Sequence, residues 1–263
     1  MTALGETRNG RQCPMSRSIF TAKNITKLGI WNVRTLNQYG RLEQLLQVFD
    51  DYRLDILGVS EVRWTNSGRI NQNNKTFMYS GHDVRHEHGV GLVLSKRAAA
   101  ALVGWSPVND RIITARFAYG HTKATVVQVY GPTNCSEETV KDGFYEKLQD
   151  VFDEIPNHDM KILMGDFNAQ LGGERRGLEN VVGAHASSHF FSDNGERLTS
   201  FCEQNGLCIG NTFFQHKEIH KKTWRSPDGC TFNEIDFVCI SQKWRTSLRD
   251  VRTFRKADVG SDH

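Results

Sequence analysis

The sequence predicts one α/β (α+β) domain in which helices cover a pair of packed β-sheets. Three observations carry this. Short apolar, often β-branched runs recur along the chain, segments with helical apolar spacing lie between them, and no Pro- or Ser-rich linker or internal repeat divides the 263 residues. A chain of this length has ample surface to bury a core.

Lys27 to Asn32 reads as a first strand that ends in polar residues. Arg41 to Tyr52 places Leu42, Leu45, Leu46 and Phe49 on one helical face. Asp55 to Ser60 is a buried strand with Glu61 just past its end. Strands are also expected at Phe77–Tyr79, Gly91–Leu94, Ile112–Ala118 and Ala124–Tyr130, the last of these strongly β-branched. Ser136, Glu137, Glu138 and Thr139 begin a helix that runs toward Ile155, with Phe144, Leu148, Val151 and Phe152 on its apolar face. Lys161 to Met164 is a further strand. Gln170 to Asp193, rich in Gly, Ser, His and Asn, reads as a long functional loop. Asn194 is placed to cap a helix containing Leu198, Phe201 and Cys202, and Trp224 and Ile235–Ile240 mark the last strands.

Composition bounds the function. A hydrophobic fraction of 38% with 24% charged residues describes a soluble, globular chain. No apolar stretch reaches the ~20 residues of a membrane helix, and residues 1–23 form a flexible lead-in without the apolar centre of a secretory signal. Six scattered cysteines with no CxxC point to reduced thiols inside the cell. The net charge of +3 is unevenly spread: nine acids face three lysines over Glu137–Asp166, whereas ten Lys and Arg face five acids over His216–Lys256. That polarity suits a basic face for a phosphate backbone. His82, His86 and His88, the His185/His189 pair and the His216/His220 pair have helical zinc spacing but lack Cys or carboxylate companions.

The chemistry concentrates at strand ends. Gly165-Asp166-Phe167-Asn168-Ala169 follows the apolar run Ile162–Met164, so a carboxylate and a carboxamide emerge two residues apart on one side of extended backbone. A base for water and a neutral donor for a phosphoryl oxygen suit phosphoester hydrolysis. Alone, the pentapeptide also reads as a tight turn. Asn32, Glu61, Tyr130, Asp236 and the Asp262-His263 pair stand at the ends of, or just beyond, other strands. Asp236 lies within an apolar run, where an unpaired carboxylate is costly, and His263 is its proposed partner.

Six motifs in order carry a resemblance: Trp31-Asn32-Val33-Arg34-Thr35-Leu36, Ser60-Glu61-Val62-Arg63-Trp64, Val129–Thr133, Gly165–Ala169, Ile235-Asp236-Phe237 and Ser261-Asp262-His263. The chain resembles the endonuclease/exonuclease/phosphatase superfamily, and within it the apurinic-type endonuclease domain of RTE-type non-LTR retrotransposons. The resemblance implies a four-layer sandwich over residues 24–263, two mostly antiparallel β-sheets flanked by helices, without the family's final strand. It implies an Mg²⁺-dependent endonuclease, with Mn²⁺ the second candidate ion, that hydrolyses double-stranded DNA and leaves a 3′-hydroxyl for a reverse transcriptase farther along a longer parent polypeptide. An intracellular protein follows, in the nucleus or else the cytoplasm, and no membrane partner.

The implied roles are residue by residue. Glu61 resembles the metal carboxylate and Asp262 supports the metal or the water. Asp166 orients or deprotonates water, Asn168 stands beside it as donor, Tyr130 and Asn32 contact the phosphate or the metal's surroundings, and Asp236 orients His263. Lys221, Lys222, Trp224 and Arg225, on a loop at the cleft rim, meet DNA. Repair members of the superfamily usually carry aspartate where Arg34 stands, which argues against abasic-site repair. Two alternatives stay open: a phosphodiesterase or phosphatase acting on lipids or small molecules, and a domesticated, non-catalytic DNA- or chromatin-binding module.

Overall fold

The computed structural model describes residues 19–20, 25–119, 122–254 and 261–263. The lead-in expected at 1–23 lies outside them except for Ile19 and Phe20, whose side chains are buried between the two sheets.

The first sheet has five strands, β1 (Leu28–Asn32), β2 (Ile56–Ser60), β3 (Ser67–Gln72), β4 (Lys75–Ser80) and β5 (Val90–Leu94), in the order β1-β2-β5-β4-β3. The second has six: β6 (Leu102–Asn109), β7 (Ile112–Tyr119), β8 (Thr122–Tyr130), β9 (Met160–Asp166), β10 (Leu207–Ile209) and, last in sequence, β13 (Asp236–Ser241), in the order β10-β13-β9-β8-β7-β6. β11 (Trp224–Arg225) and β12 (Phe232–Asn233) form a separate small hairpin. β1–β2 and β8–β9 are parallel pairs and the remaining pairs are antiparallel.

The layering follows from alternation along the strands. In β8 and β9, Ala124, Val126, Met160, Ile162 and Met164 point between the sheets, where they meet Ile56, Met78 and the Val90, Leu92, Leu94 face of β5. Val127, Val129 and Leu163 point the other way, onto helices α3 (Glu138–Glu154) and α4 (Asp193–Gln204). On the far side of the five-stranded sheet, Leu57, Val59 and Val93 pack against Leu45, Leu46 and Phe49 of α1 (Arg41–Asp51). These are the four layers that the resemblance implied. Near the site buried polar contacts cross between the sheets: Gln128 Nε2 donates to Ser60 Oγ at 3.1 Å, Ser60 Oγ donates to Val129 O at 3.3 Å, and a Cβ at Gly58 would lie only 1.9 Å from Gln128 Oε1. Glycine at 58 therefore sets how closely the sheets approach.

Several elements depart from the sequence reading. β3 alternates between exposed and partly covered residues and owes its form to pairing with β4. β6 carries Pro107 and two register shifts, as an edge strand can. The short helix α2 (Lys96–Ala101) is started by Ser95, whose Oγ accepts from Ala98 N at 3.1 Å. α4 is capped by Ser192, accepting from Gly195 N at 3.1 Å, and not by Asn194, which is buried in its first turn. The 170–192 connection contains no helix or strand, yet Leu171, Val181 and Val182 are buried and Val182 bridges Ile209. No helix among the described residues is long and apolar enough to cross a membrane.

Candidate active site

Register brings the strand-end residues together. β8 and β9 align Tyr130 with Asp166, β9 and β13 align Asp166 with Asp236, and β1 and β2 align Asn32 with Ser60, one residue before Glu61. The ends of the two sheets face each other, so five side chains separated in sequence share one cleft.

Asn32 joins the sheets. Its Nδ2 donates to Glu61 Oε1 at 2.8 Å and to Asp166 Oδ2 at 2.9 Å, and its Oδ1 accepts from Arg34 N at 3.0 Å. With both donors and the acceptor engaged, the amide has one orientation. Glu61 also accepts from the Tyr130 hydroxyl at 3.2 Å, and its other oxygen pairs with Arg63 at 2.6 Å. Asp166 is held on its second oxygen by Asn168 N at 2.9 Å. Burial, aided by the charge of Asp236, holds its carboxyl well above the usual carboxylate range, against the opposing pull of His263 and Asn32. Burial and the Glu61 and Asp166 charges likewise push the Tyr130 phenol up, so it stays a hydrogen-bond donor.

His263 stands between two buried carboxylates. Its Nδ1 meets Asp236 Oδ2 at 2.9 Å, and its Nε2 lies 3.7 Å from Asp166 Oδ2. Burial disfavours the imidazolium, but the charge and hydrogen bond of Asp236 prevail and raise its pKa to about 9. Ser261 fixes the approach, donating to Asn32 O at 2.5 Å and accepting from His263 N at 3.1 Å.

Other expected residues are placed differently. The carboxamide of Asn168 donates to Gly131 O at 3.0 Å, so it braces the loop after β8. Asp262 is held by other groups: Trp224 Nε1 donates to its Oδ2 at 3.2 Å, Arg34 lies 3.7 Å from its Oδ1, and its carbonyl accepts from Arg225 N at 2.8 Å. The segment of Trp224 and Arg225 is part of a hairpin and not a free loop. Arg34, Arg225, Asp262 and the Ser226–Gly229 turn line a cleft of about 380 Å³. Lys221 and Lys222 are engaged within the protein: both pair with Glu218, and Lys222 Nζ donates to Ser187 O at 2.9 Å.

Asn194 was missed as a site residue. Its Nδ2 donates to Pro132 O at 2.9 Å and Asn168 O at 3.1 Å, tying the loops after β8 and β9 to α4. An interior asparagine two residues past a serine cap was the available sign. Backbone strain marks the same place, since Arg34, Glu61, Arg63, His88 and Asn168 all have positive φ, rare for glutamate and arginine.

The donor set fits a hard divalent cation. Glu61 and Asp166 offer carboxylate oxygens bridged by Asn32, and buried Asp236 Oδ1 has no hydrogen-bond partner. Asp166, Asp236 and His263 present ligand atoms within 4.8 Å of one another.

A model of the endonuclease/exonuclease/phosphatase family matches residues 29–263. The chain belongs to this family. Craniofacial development protein 2 of Tragulus javanicus is 37% identical over 236 residues, 90% of this chain and 40% of that protein, and its Bos taurus counterpart is 37% identical over the same length. The chain thus spans about 40% of the curated relatives' length. Among solved family folds, the endonuclease domain of TRAS1, a telomere-specific non-LTR retrotransposon, superposes with a TM-score of 0.62 at 12% identity, covering 91% of this chain and 95% of that one. An AP endonuclease from Leishmania major gives 0.67 at 13%, covering 93% and 87%. The catalytic domain of Xenopus laevis APE2 gives 0.66 at 15%, covering 89% and 88%. The family is generally hydrolytic and typically uses a divalent metal.

Proposed function

We propose that this chain is a metal-dependent endonuclease that hydrolyses a phosphodiester of double-stranded DNA and leaves a 3′-hydroxyl. The observation that supports it best is the convergence on Asp166: Asn32 from the other sheet, Asn168 N from its own turn and His263 from the terminal segment all face one buried carboxylate.

Glu61, with Asn32 and Asp166 beside it, would hold Mg²⁺ or Mn²⁺, which when bound neutralises charge on a phosphoryl oxygen. Asp166, fixed on both oxygens and raised in pKa by burial, takes the proton of the attacking water. His263, cationic near neutral pH, directs Nε2 at the reacting phosphate while Asp236 fixes its ring through Nδ1. Tyr130 offers its hydroxyl beside Glu61 as a neutral donor. Arg34 and Arg225 in the adjoining cleft supply positive charge for the backbone.

The test is incubation with supercoiled plasmid, with and without Mg²⁺, followed by end mapping. Nicks with 3′-hydroxyl ends that vanish on chelation, and that Glu61→Ala largely removes, are expected. Equal cleavage in excess chelator would refute the reading.

A further inference from the structure

Against the Tyr130 ring lies a cluster that the cleavage scheme does not use. Glu87, His88 and Asp110 bring ligand atoms within 4.8 Å of one another. Both nitrogens of His88, however, are already engaged. Nδ1 is 2.8 Å from Asp110 Oδ2 and Nε2 is 2.9 Å from Arg111 Nη2. An arginine nitrogen only donates, so Nε2 accepts and the ring proton sits on Nδ1, directed at Asp110. A guanidinium stands where a metal would have to bind Nε2, so this cluster orders an arginine.

That arginine is aimed at the site. Arg111 Nη1 donates to Tyr130 O at 3.1 Å, and its guanidinium lies over the Tyr130 ring, 5.2 Å from the centroid. The His88 ring packs 6.0 Å from the same ring. Tyr130 N in turn donates to Arg111 O at 2.9 Å. The far end of the ring carries the hydroxyl that bonds Glu61. His88 has φ 52 and is followed by Gly89 at φ 90, so the backbone is bent to present this imidazole.

We propose that Arg111, oriented by His88 and Asp110, is a positioning residue for the Tyr130 hydroxyl in phosphodiester cleavage. The proposal rests on the nuclease reading above. A planar guanidinium fits because it can donate to the backbone carbonyl and to the imidazole's lone pair and cover the ring at once, which a lysine cannot do.

The experiment combines Arg111→Lys and His88→Asn, singly and each together with Tyr130→Phe, in plasmid nicking. Asparagine tolerates the left-handed backbone at 88 and keeps a donor for Asp110, but it does not reach Arg111. Each single variant should lower kcat about 10–100-fold with KM unchanged, the cost usual for groups that orient those around a metal. Added to Tyr130→Phe, neither should cost much more. Full additivity with Tyr130→Phe, or a loss that falls on KM, would overturn the proposal. Nitrogen NMR of His88 in the unsubstituted protein is the readout independent of activity and of variant folding. A proton on Nδ1 and a bare Nε2 support the relay, and a proton on Nε2 overturns it. An unsubstituted chain that nicks no DNA would refute the nuclease reading and with it any role of Arg111 in cleavage, while the His88 spectrum still shows whether Arg111 is held as described.

Discussion

Replacing Asp236 by asparagine should leave His263 neutral at pH 7. In the folded protein burial disfavours the imidazolium, yet the charge of Asp236 and its 2.9 Å hydrogen bond raise the pKa from 6.5 to about 9, with Asp166 and Asp262 adding. That rise corresponds to about 3 kcal/mol in favour of the charged form. The His263 side chain is only 6% exposed, so solvent screening takes away little. Asparagine keeps an acceptor for Nδ1 but carries no charge, so desolvation then prevails and the pKa falls below 6.5. The sign for stability follows. A raised histidine pKa contributes stability that is complete below about 6.5 and lost as pH rises through about 9. The unsubstituted protein should therefore lose thermal stability between those values, and Asp236→Asn should show no such slope. The assay is an NMR titration of His263 in metal-free protein, alongside melting temperature against pH. Nicking at pH 7 should fall on the order of 10²–10⁴-fold as the cationic donor is lost. A titration midpoint at or below 6.5 in the unsubstituted protein, or one that Asp236→Asn leaves in place, would refute this account.

Three further outcomes are expected. Gly165→Ala should cost about 3 kcal/mol or more in denaturant unfolding, because Gly165 sits at φ 147 and a Cβ there would lie 2.1 Å from Val129 O. Asn194→Ala should cost about 1–3 kcal/mol by leaving buried carbonyls unpaired, and should slow nicking by loosening the Asp166–Asn168 turn that Asn194 holds at 3.1 Å. Asp159 is buried, and although burial alone would raise its pKa, Arg116 at 2.7 and 2.9 Å and Thr125 at 2.8 Å hold it below the usual carboxylate value. Its contribution to stability is present above the unfolded carboxylate's pKa of about 3.9 and lost as pH falls through the lower folded value. Asp159→Asn should therefore flatten the acid limb of melting temperature against pH, and an unchanged limb would show that another group controls it.

The sequence by itself determined the elements whose burial is one-sided or complete. β2, β5, β8 and β9 are apolar runs, and α1, α3 and α4 carry apolar residues at helical spacing, so hydrophobic periodicity located them. It also named Asn32, Glu61, Tyr130, Asp166, Asp236 and His263, because polar groups that end apolar runs are conspicuous and occur in one family order. Polar and short elements were not legible: β3, β6 and β12 exist through pairing, which local propensity does not encode. Only the tertiary structure decided what each polar group does with its hydrogen bonds. Asn168 turned inward to Gly131, Asp262 joined Trp224 and Arg34, and Lys222 met Ser187. Asn194, which looked like a cap, became the tie between two site loops, and His88 became the support of Arg111. The physical reason is that a side chain's type limits which bonds it can make, while its partners are fixed by sheet register and by the approach of residues far apart in sequence, as between Asn32 and Asp166.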